Sequence, residues 1–100
     1  MRIISRKILR EFWEKHPDSR QQLQAWYIDV KHANWTSPTD IKETYPHASI
    51  LVDDRVVFNI KGNKYRMIVI IQYRFGQVYI RLLVRIRNMI VSMPKRFRRI

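Results

Sequence analysis

The apolar positions change period partway along the chain. In the first third they recur at helical spacing. Ile4, Ile8 and Phe12 are four apart, and Leu9 and Trp13 widen the same stripe. This predicts a helix from residue 6 to about residue 15, with Ser5 placed to cap it and Pro17 to close it. Leu23, Trp26, Val30 and Ala33 mark one face of a second helix over residues 20–33, capped by Asp18 or Ser19. The short link at residues 16–19 implies an antiparallel or steeply angled helix pair. The Trp side chains on these faces read as core. Thr36-Ser37-Pro38-Thr39-Asp40 is a turn with Pro at a first helical position, followed by one helical turn over residues 38–44, and Pro46 stops it.

From Arg55 the period becomes strand-like. Residues 56–60 form the first convincing strand, after the short apolar run Ile50-Leu51-Val52 and a turn at Asp53-Asp54. Lys61-Gly62-Asn63 is a hairpin turn in which Gly62 is free to take positive φ. Residues 64–73 form a long strand whose centre, residues 67–71, is apolar on both faces. Arg74-Phe75-Gly76 turns the chain into a third strand over residues 77–83, where Val78, Ile80 and Leu82 alternate with Tyr79 and Arg81. The expected fold is α+β: two N-terminal helices on one face of a three- to four-stranded, mainly antiparallel sheet. The tail, residues 84–100, fits this pattern poorly. Ile86, Ile90 and Met93 mark a helix or an irregular stretch, and Arg96, Arg98 and Arg99 a solvated basic end.

Composition narrows the function. One hundred residues make one domain, with a core of residues 1–83 and a basic tail. No Cys is present, which excludes a disulfide framework and a Cys-based zinc or redox site. Metal-ligand spacing, a phosphate-binding Gly loop, a nucleophile elbow and a paired-carboxylate site are absent, so neither a metal nor a cofactor is expected. No apolar run is long enough for a membrane span. The charged N-terminus does not read as a signal peptide, and a cytoplasmic protein without membrane contact is expected.

The charge is uneven. Residues 1–50 hold 8 basic and 6 acidic side chains, residues 51–100 hold 12 and 2, and no carboxylate follows Asp54. Most Lys and Arg merely keep a surface solvated, but a run of cations without an anion should repel itself unless a partner neutralises it. On the sheet, Lys64 and Arg66 are two apart and share a strand face, and Tyr79 and Arg81 do likewise. Lys64, Arg66 and Arg81 are the candidate catalytic residues. Arg55, Lys61, Arg74, Tyr73 and Tyr79 are the candidate RNA-binding residues.

RNA carries its own nucleophile, the 2′-OH. A protein cuts it without metal by taking that proton, stabilising the phosphorane and protonating the leaving oxygen. Arg suits the second role because its planar fork meets phosphate oxygens bidentately. Lys serves as a base only where neighbouring cations lower its pKa. Of the histidines, His16 reads as structural at a helix end, His32 as surface, and His47 as a further acid–base candidate. No helix carries the basic cluster as a DNA-recognition helix would.

Two stretches carry a resemblance: Val57-Phe58-Asn59-Ile60-Lys61-Gly62-Asn63-Lys64-Tyr65-Arg66, and Tyr73-Arg74-Phe75-Gly76-Gln77-Val78-Tyr79-Ile80-Arg81. With the opening MRIISRKILREFWEKHPDS and the segment over residues 35–45, they resemble the HigB-type toxins of bacterial toxin–antitoxin pairs, within the wider RelE-like class. The resemblance covers residues 1–81. It implies a ribosome-dependent mRNA interferase, a HigA-type helix-turn-helix antitoxin as partner, and contact with operator DNA only through the toxin–antitoxin complex. The family's basic strand residues map onto Lys64, Arg66 and Arg81.

After Arg81 the chain departs from the family. Members continue with something like F-I-G-T-H-x-E-Y-D, whose His, Tyr and acidic groups are candidate catalytic parts; here Leu82-Leu83-Val84-Arg85-Ile86-Arg87-Asn88-Met89 follows. A codon set for residues 82–97 exists that, read from its third base, spells I-G-T-H-S-E-Y-D-R-K-Y-A-E-T-I. Asn88, Met89 and Met93 leave little codon choice and fit it. A frameshifted tail is therefore expected, and with it a toxin disabled by its altered C-terminus. Two other readings stay open: a non-catalytic RNA-binding module, and a protein-interaction domain docking an acidic partner.

Overall fold

The structure, a computed structural model, describes residues 1–62 and 64–86. In chain order the elements are β1 (Arg2–Ile4), α1 (Arg6–Lys15), a 3-10 turn (Pro17–Ser19), α2 (Arg20–His32) and α3 (Pro38–Thr44). The sheet half follows: β2 (Ser49–Ile50), β3 (Arg55–Ile60), β4 (Tyr65–Gln72), a second 3-10 turn (Tyr73–Phe75) and β5 (Gln77–Arg85). The fold is α+β, and the helix bounds match the apolar periodicity. The sheet has five strands in the order β1-β5-β4-β3-β2. It is antiparallel except where β1 runs parallel to β5, pairing Arg2, Ile3 and Ile4 with Gln77, Val78 and Tyr79.

β1 corrects the reading of the first segment and raises the expected strand count. Ile4 belongs to this strand and not to the helical stripe, because Ile3 gains a buried place beside β5. Ser5 then makes the sharp change of direction with φ 72° and no side-chain cap, so its expected capping hydrogen bond is absent. Ser19 also precedes its helix without capping it; its hydroxyl donates instead to the His16 carbonyl at 2.7 Å. The Met1 ammonium takes up part of the capping work. It donates to the carbonyls of Val30, Lys31 and Ala33 at 2.9, 2.9 and 2.8 Å, satisfying groups that the end of α2 leaves over.

The core lies between the helices and one sheet face. Leu9, Leu23, Trp26, Val30 and Ile41 pack there on Val56, Phe58, Tyr65, Met67, Val69, Ile71, Val78, Ile80 and Leu83. Trp26, Trp35 and Tyr45 surround the Phe58 ring with centroids 5.6, 6.2 and 5.2 Å away. The turns follow the sequence: Gly62 and Gly76 adopt φ 65° and 62°. β5 runs two residues beyond the expected end at Leu83. The expected helix through Ile90 and Met93 and the basic end of the tail lie outside the described residues, as does Asn63.

Candidate nucleic-acid interface

The strand register sorts the second sheet face into rows, since residues directly opposite share a face. Asn59, Arg66 and Val84 form one row; Val57, Ile68 and Leu82 the next; Arg55, Ile70, Tyr79 and Ile4 a third; Gln72, Gln77 and Arg2 a fourth. Among the described residues no helix belongs to this side. Its centre is aliphatic, with Val57 and Ile68 buried among Leu51, Leu82 and Val84. Cations stand around that centre.

A bulge sets the position of Arg81. Ile68 pairs with Leu82 and Val69 with Ile80, which leaves Arg81 as the extra residue. Ile80 and Leu83 are both buried in the core, so Arg81 and Leu82 leave together on the outward side. Arg81 thus joins Tyr79 on one face, as alternation expects, and stands exposed. Arg66 is half-buried, and its Nε is shielded from solvent without a hydrogen-bond partner. A buried donor left over in this way is costly unless a ligand takes it up. The Tyr79 hydroxyl donates to Gln77 Oε1 at 2.9 Å, which aims the phenol along the same face.

Lys64 is placed differently. It lies in the turn before β4, not on the strand, and its ammonium meets Asp18 Oδ2 at 2.5 Å. The hydrogen bond to Asp18 raises the Lys64 pKa, so the ammonium stays protonated and cannot take a proton in this state. The Tyr65 hydroxyl donates to the other Asp18 oxygen at 2.6 Å. These two donors, Lys64 first, hold the Asp18 carboxyl down at about 2. His16 packs between Phe12 and Tyr65, at 4.5 and 5.3 Å between centroids, in the structural role its position implies.

The face therefore brings together Arg55, Arg66, Tyr79 and Arg81. It does not gather the other candidates. Lys61 lies at the exposed hairpin tip, its backbone N–H donating to Gln22 Oε1. Arg74 stands over Phe75 at the opposite end of the sheet, 5.7 Å from the ring centroid. Tyr73 packs against the helix-side core, and burial raises its pKa, with Asp54 and Asp40 adding to the effect. His47 is exposed and lines a cavity of about 430 Å³ whose wall includes Asn59, the residue opposite Arg66. Arg2 was missed from the sequence because β1 was. The only signal for it was an isolated apolar pair before the first helix.

Chemically, this is a surface of planar cations around an apolar floor. It fits an anion with several oxygens; among the described residues no group of three or more His, Cys, Asp or Glu side chains is placed to hold an ion. Among the described residues no helix is long and apolar enough to cross a membrane.

The chain is similar to known proteins over most of its length. The chain is 26% identical over 83 residues to the mRNA interferase toxin HigB of Escherichia coli (strain K12), which covers 81% of this chain and 80% of that protein. The mRNA interferases HigB of Escherichia coli O157:H7 and Shigella flexneri match with the same identity and coverage. The profile of the HigB toxin family matches residues 19–85, from the Asp18–α2 junction to the last residue of β5. The chain belongs to that family, the RelE-like toxic component of a toxin–antitoxin system.

Proposed function

We propose that this chain is built as a ribosome-dependent, metal-independent mRNA interferase whose activity is disabled by its altered tail. The observation that carries the reading is the outward sheet face, on which the strand register gathers Arg55, Arg66, Tyr79 and Arg81. The named relatives are mRNA interferases. In the proposed reaction the RNA 2′-oxygen bonds to phosphorus, the P–O5′ bond breaks, and a cyclic phosphate forms. The 2′ proton passes to a base, and the leaving O5′ receives one. Arg66 and Arg81 hold the non-bridging oxygens as negative charge builds on them. Lys64 supplies a protonated ammonium, Arg55 and Tyr79 hold flanking phosphates, and Lys61 and Arg74, at the two ends of the sheet, meet ribosomal RNA, while Tyr73 packs on the core.

The reaction also needs a general base. In the family resemblance that part belongs to the His-x-x-Tyr-Asp-like segment after Arg81, for which this chain has Leu82-Leu83-Val84-Arg85 and onward. The loss of that segment removes acid–base groups and leaves the arginines. A HigA-type antitoxin is the partner expected to neutralise the active form, with operator DNA bound through the complex, in the cytoplasm.

The test expresses this chain and a version with the single base restored before the tail, and reads growth arrest and mRNA cleavage by primer extension. The expected result is arrest and cleavage with the restored version alone. Cleavage by both would overturn the disabled state. Cleavage by neither would overturn the interferase reading. The aliphatic centre formed by Val57, Ile68, Leu82 and Val84 favours a second reading, a face that docks an acidic protein, because such side chains receive apolar groups better than bases. That reading expects antitoxin binding without RNA or ribosome affinity.

A further inference from the structure

The link between α1 and α2 clasps the β3–β4 hairpin at its tip. Asp18 accepts from Lys64 Nζ and from the Tyr65 hydroxyl, one on each oxygen, and Lys61 adds its field. Gln22 takes the Lys61 backbone N–H beside them. Two donors converging on two oxygens of one anion, with further positive charge nearby, is an arrangement that an RNA phosphodiester can also accept. A phosphodiester likewise offers two non-bridging oxygens and one negative charge. Here an internal carboxylate fills the position.

The filling is replaceable. The Lys64 and Asp18 side chains are 45% and 34% exposed, and an exposed ion pair is weak. Lys64 and Tyr65 directly precede Arg66, so the hairpin tip adjoins the cationic face, although Tyr65 is directed to the helix side and Arg66 outward. The Asp18–Lys64 ion pair joins the helical half to the sheet half.

We propose that Lys64, Tyr65 and Lys61 form a phosphodiester-binding subsite at the hairpin tip, occupied in the free protein by Asp18, which an RNA backbone displaces. The inference rests on the RNA-cleaving reading above. Its consequence is a filter. RNA held only by scattered charge must compete with Asp18 for Lys64. RNA already positioned on Arg66 and passing around the edge of the hairpin tip presents a further phosphate at high local concentration and displaces the carboxylate.

The test measures binding of a fluorescein-labelled oligouridylate by anisotropy over a salt series. Asp18→Asn keeps an oxygen for Tyr65 and removes the charge that holds Lys64. It is expected to bind several-fold tighter than the unmutated chain, with a log–log salt slope steeper by about 0.7 for the one freed cation. Lys64→Ala is expected to weaken binding and flatten the salt slope in the unmutated chain, and to cancel the gain in the Asp18→Asn background. In the unmutated chain, the carbon NMR shift of the Asp18 carboxylate is expected to move on saturation with the oligouridylate. That readout decides the matter if Asp18→Asn fails to fold. Tight RNA binding with equal affinity and slope in Asp18→Asn, or an Asp18 signal that does not move at saturation, would overturn the subsite and leave the RNA reading standing. Absence of oligouridylate binding by every form would overturn both.

Discussion

At the residue scale the distinctive groups are two arginines and one aspartate. Arg66 is packed into the outward face with an unspent Nε donor, and Arg81 is put there by a one-residue bulge. If they stabilise the phosphorane, Arg66→Ala or Arg81→Ala in the tail-restored chain lowers cleavage on ribosomes by roughly 10²-fold. Because Arg81 is exposed, Arg81→Ala leaves the melting temperature close to that of the parent. Asp18 sets a pH dependence. Its carboxyl is lowered from 3.8 to about 2, so its stabilising contribution is present above 3.8 and is lost as pH falls through about 2. Lys64 is raised above 10.5, so its share is present below that value and is lost as pH rises through the higher folded pKa. Thermal melts of the parent and Asp18→Asn should differ most between these limits and converge beyond them. Both groups are at the surface, so added salt should shrink the difference. Neither the bulge nor the Asp18 contact was legible in the sequence. Alternation alone carried Lys64 onto the face of Arg66, but the ammonium reaches Asp18, forty-six positions earlier in the chain.

At the element scale, helices were easier to read than strands. The apolar spacing through Leu23, Trp26 and Val30 marks α2 because a helix closes its own hydrogen bonds and needs only one buried stripe. β1 has three residues and no local signature. It exists because β5 offers an open edge, where the Arg2 N–H donates to the Gly76 carbonyl at 2.8 Å and the ladder follows. The cost of joining β1 to α1 without a loop is carried by Ser5 in the left-handed region. Ser5→Gly should therefore raise the melting temperature, and Ser5→Val should lower it, since a β-branched side chain is poorly tolerated at that φ. Calorimetry of the two variants checks the sign of each change. The hairpin and the β4–β5 turn were legible in advance, because Gly62 and Gly76 sit where positive φ is needed.

At the scale of the whole molecule the protein is polarised. The helical half mixes signs, while the sheet half carries all its cations after the last carboxylate, Asp54. Affinity for oligouridylate should fall linearly with salt on logarithmic axes, at about 0.7 of slope per phosphate neutralised. Arg66→Ala and Arg81→Ala should each remove about one such unit. Lys7→Ala, on the opposite helical surface and paired with Glu11 at 3.6 Å, should leave the slope unchanged. Equal effects at all three positions would mean that binding follows net charge and not this face.

The amino-acid sequence by itself determined the helix bounds, the hairpins, the α+β class and the one-sided charge. Each depends on neighbours a few positions apart: apolar periodicity, the φ freedom of glycine, the absence of carboxylates along a continuous stretch. It also carried the family resemblance, in motifs around Lys61, Arg66 and Arg81. Only the tertiary structure decided which cations share a face. Register, the bulge at Arg81, the parallel strand β1 and the capture of Lys64 by Asp18 all arise between segments distant in the chain. Such contacts form where burial and hydrogen-bond satisfaction of the assembled sheet outweigh local preference, and no local pattern encodes that balance.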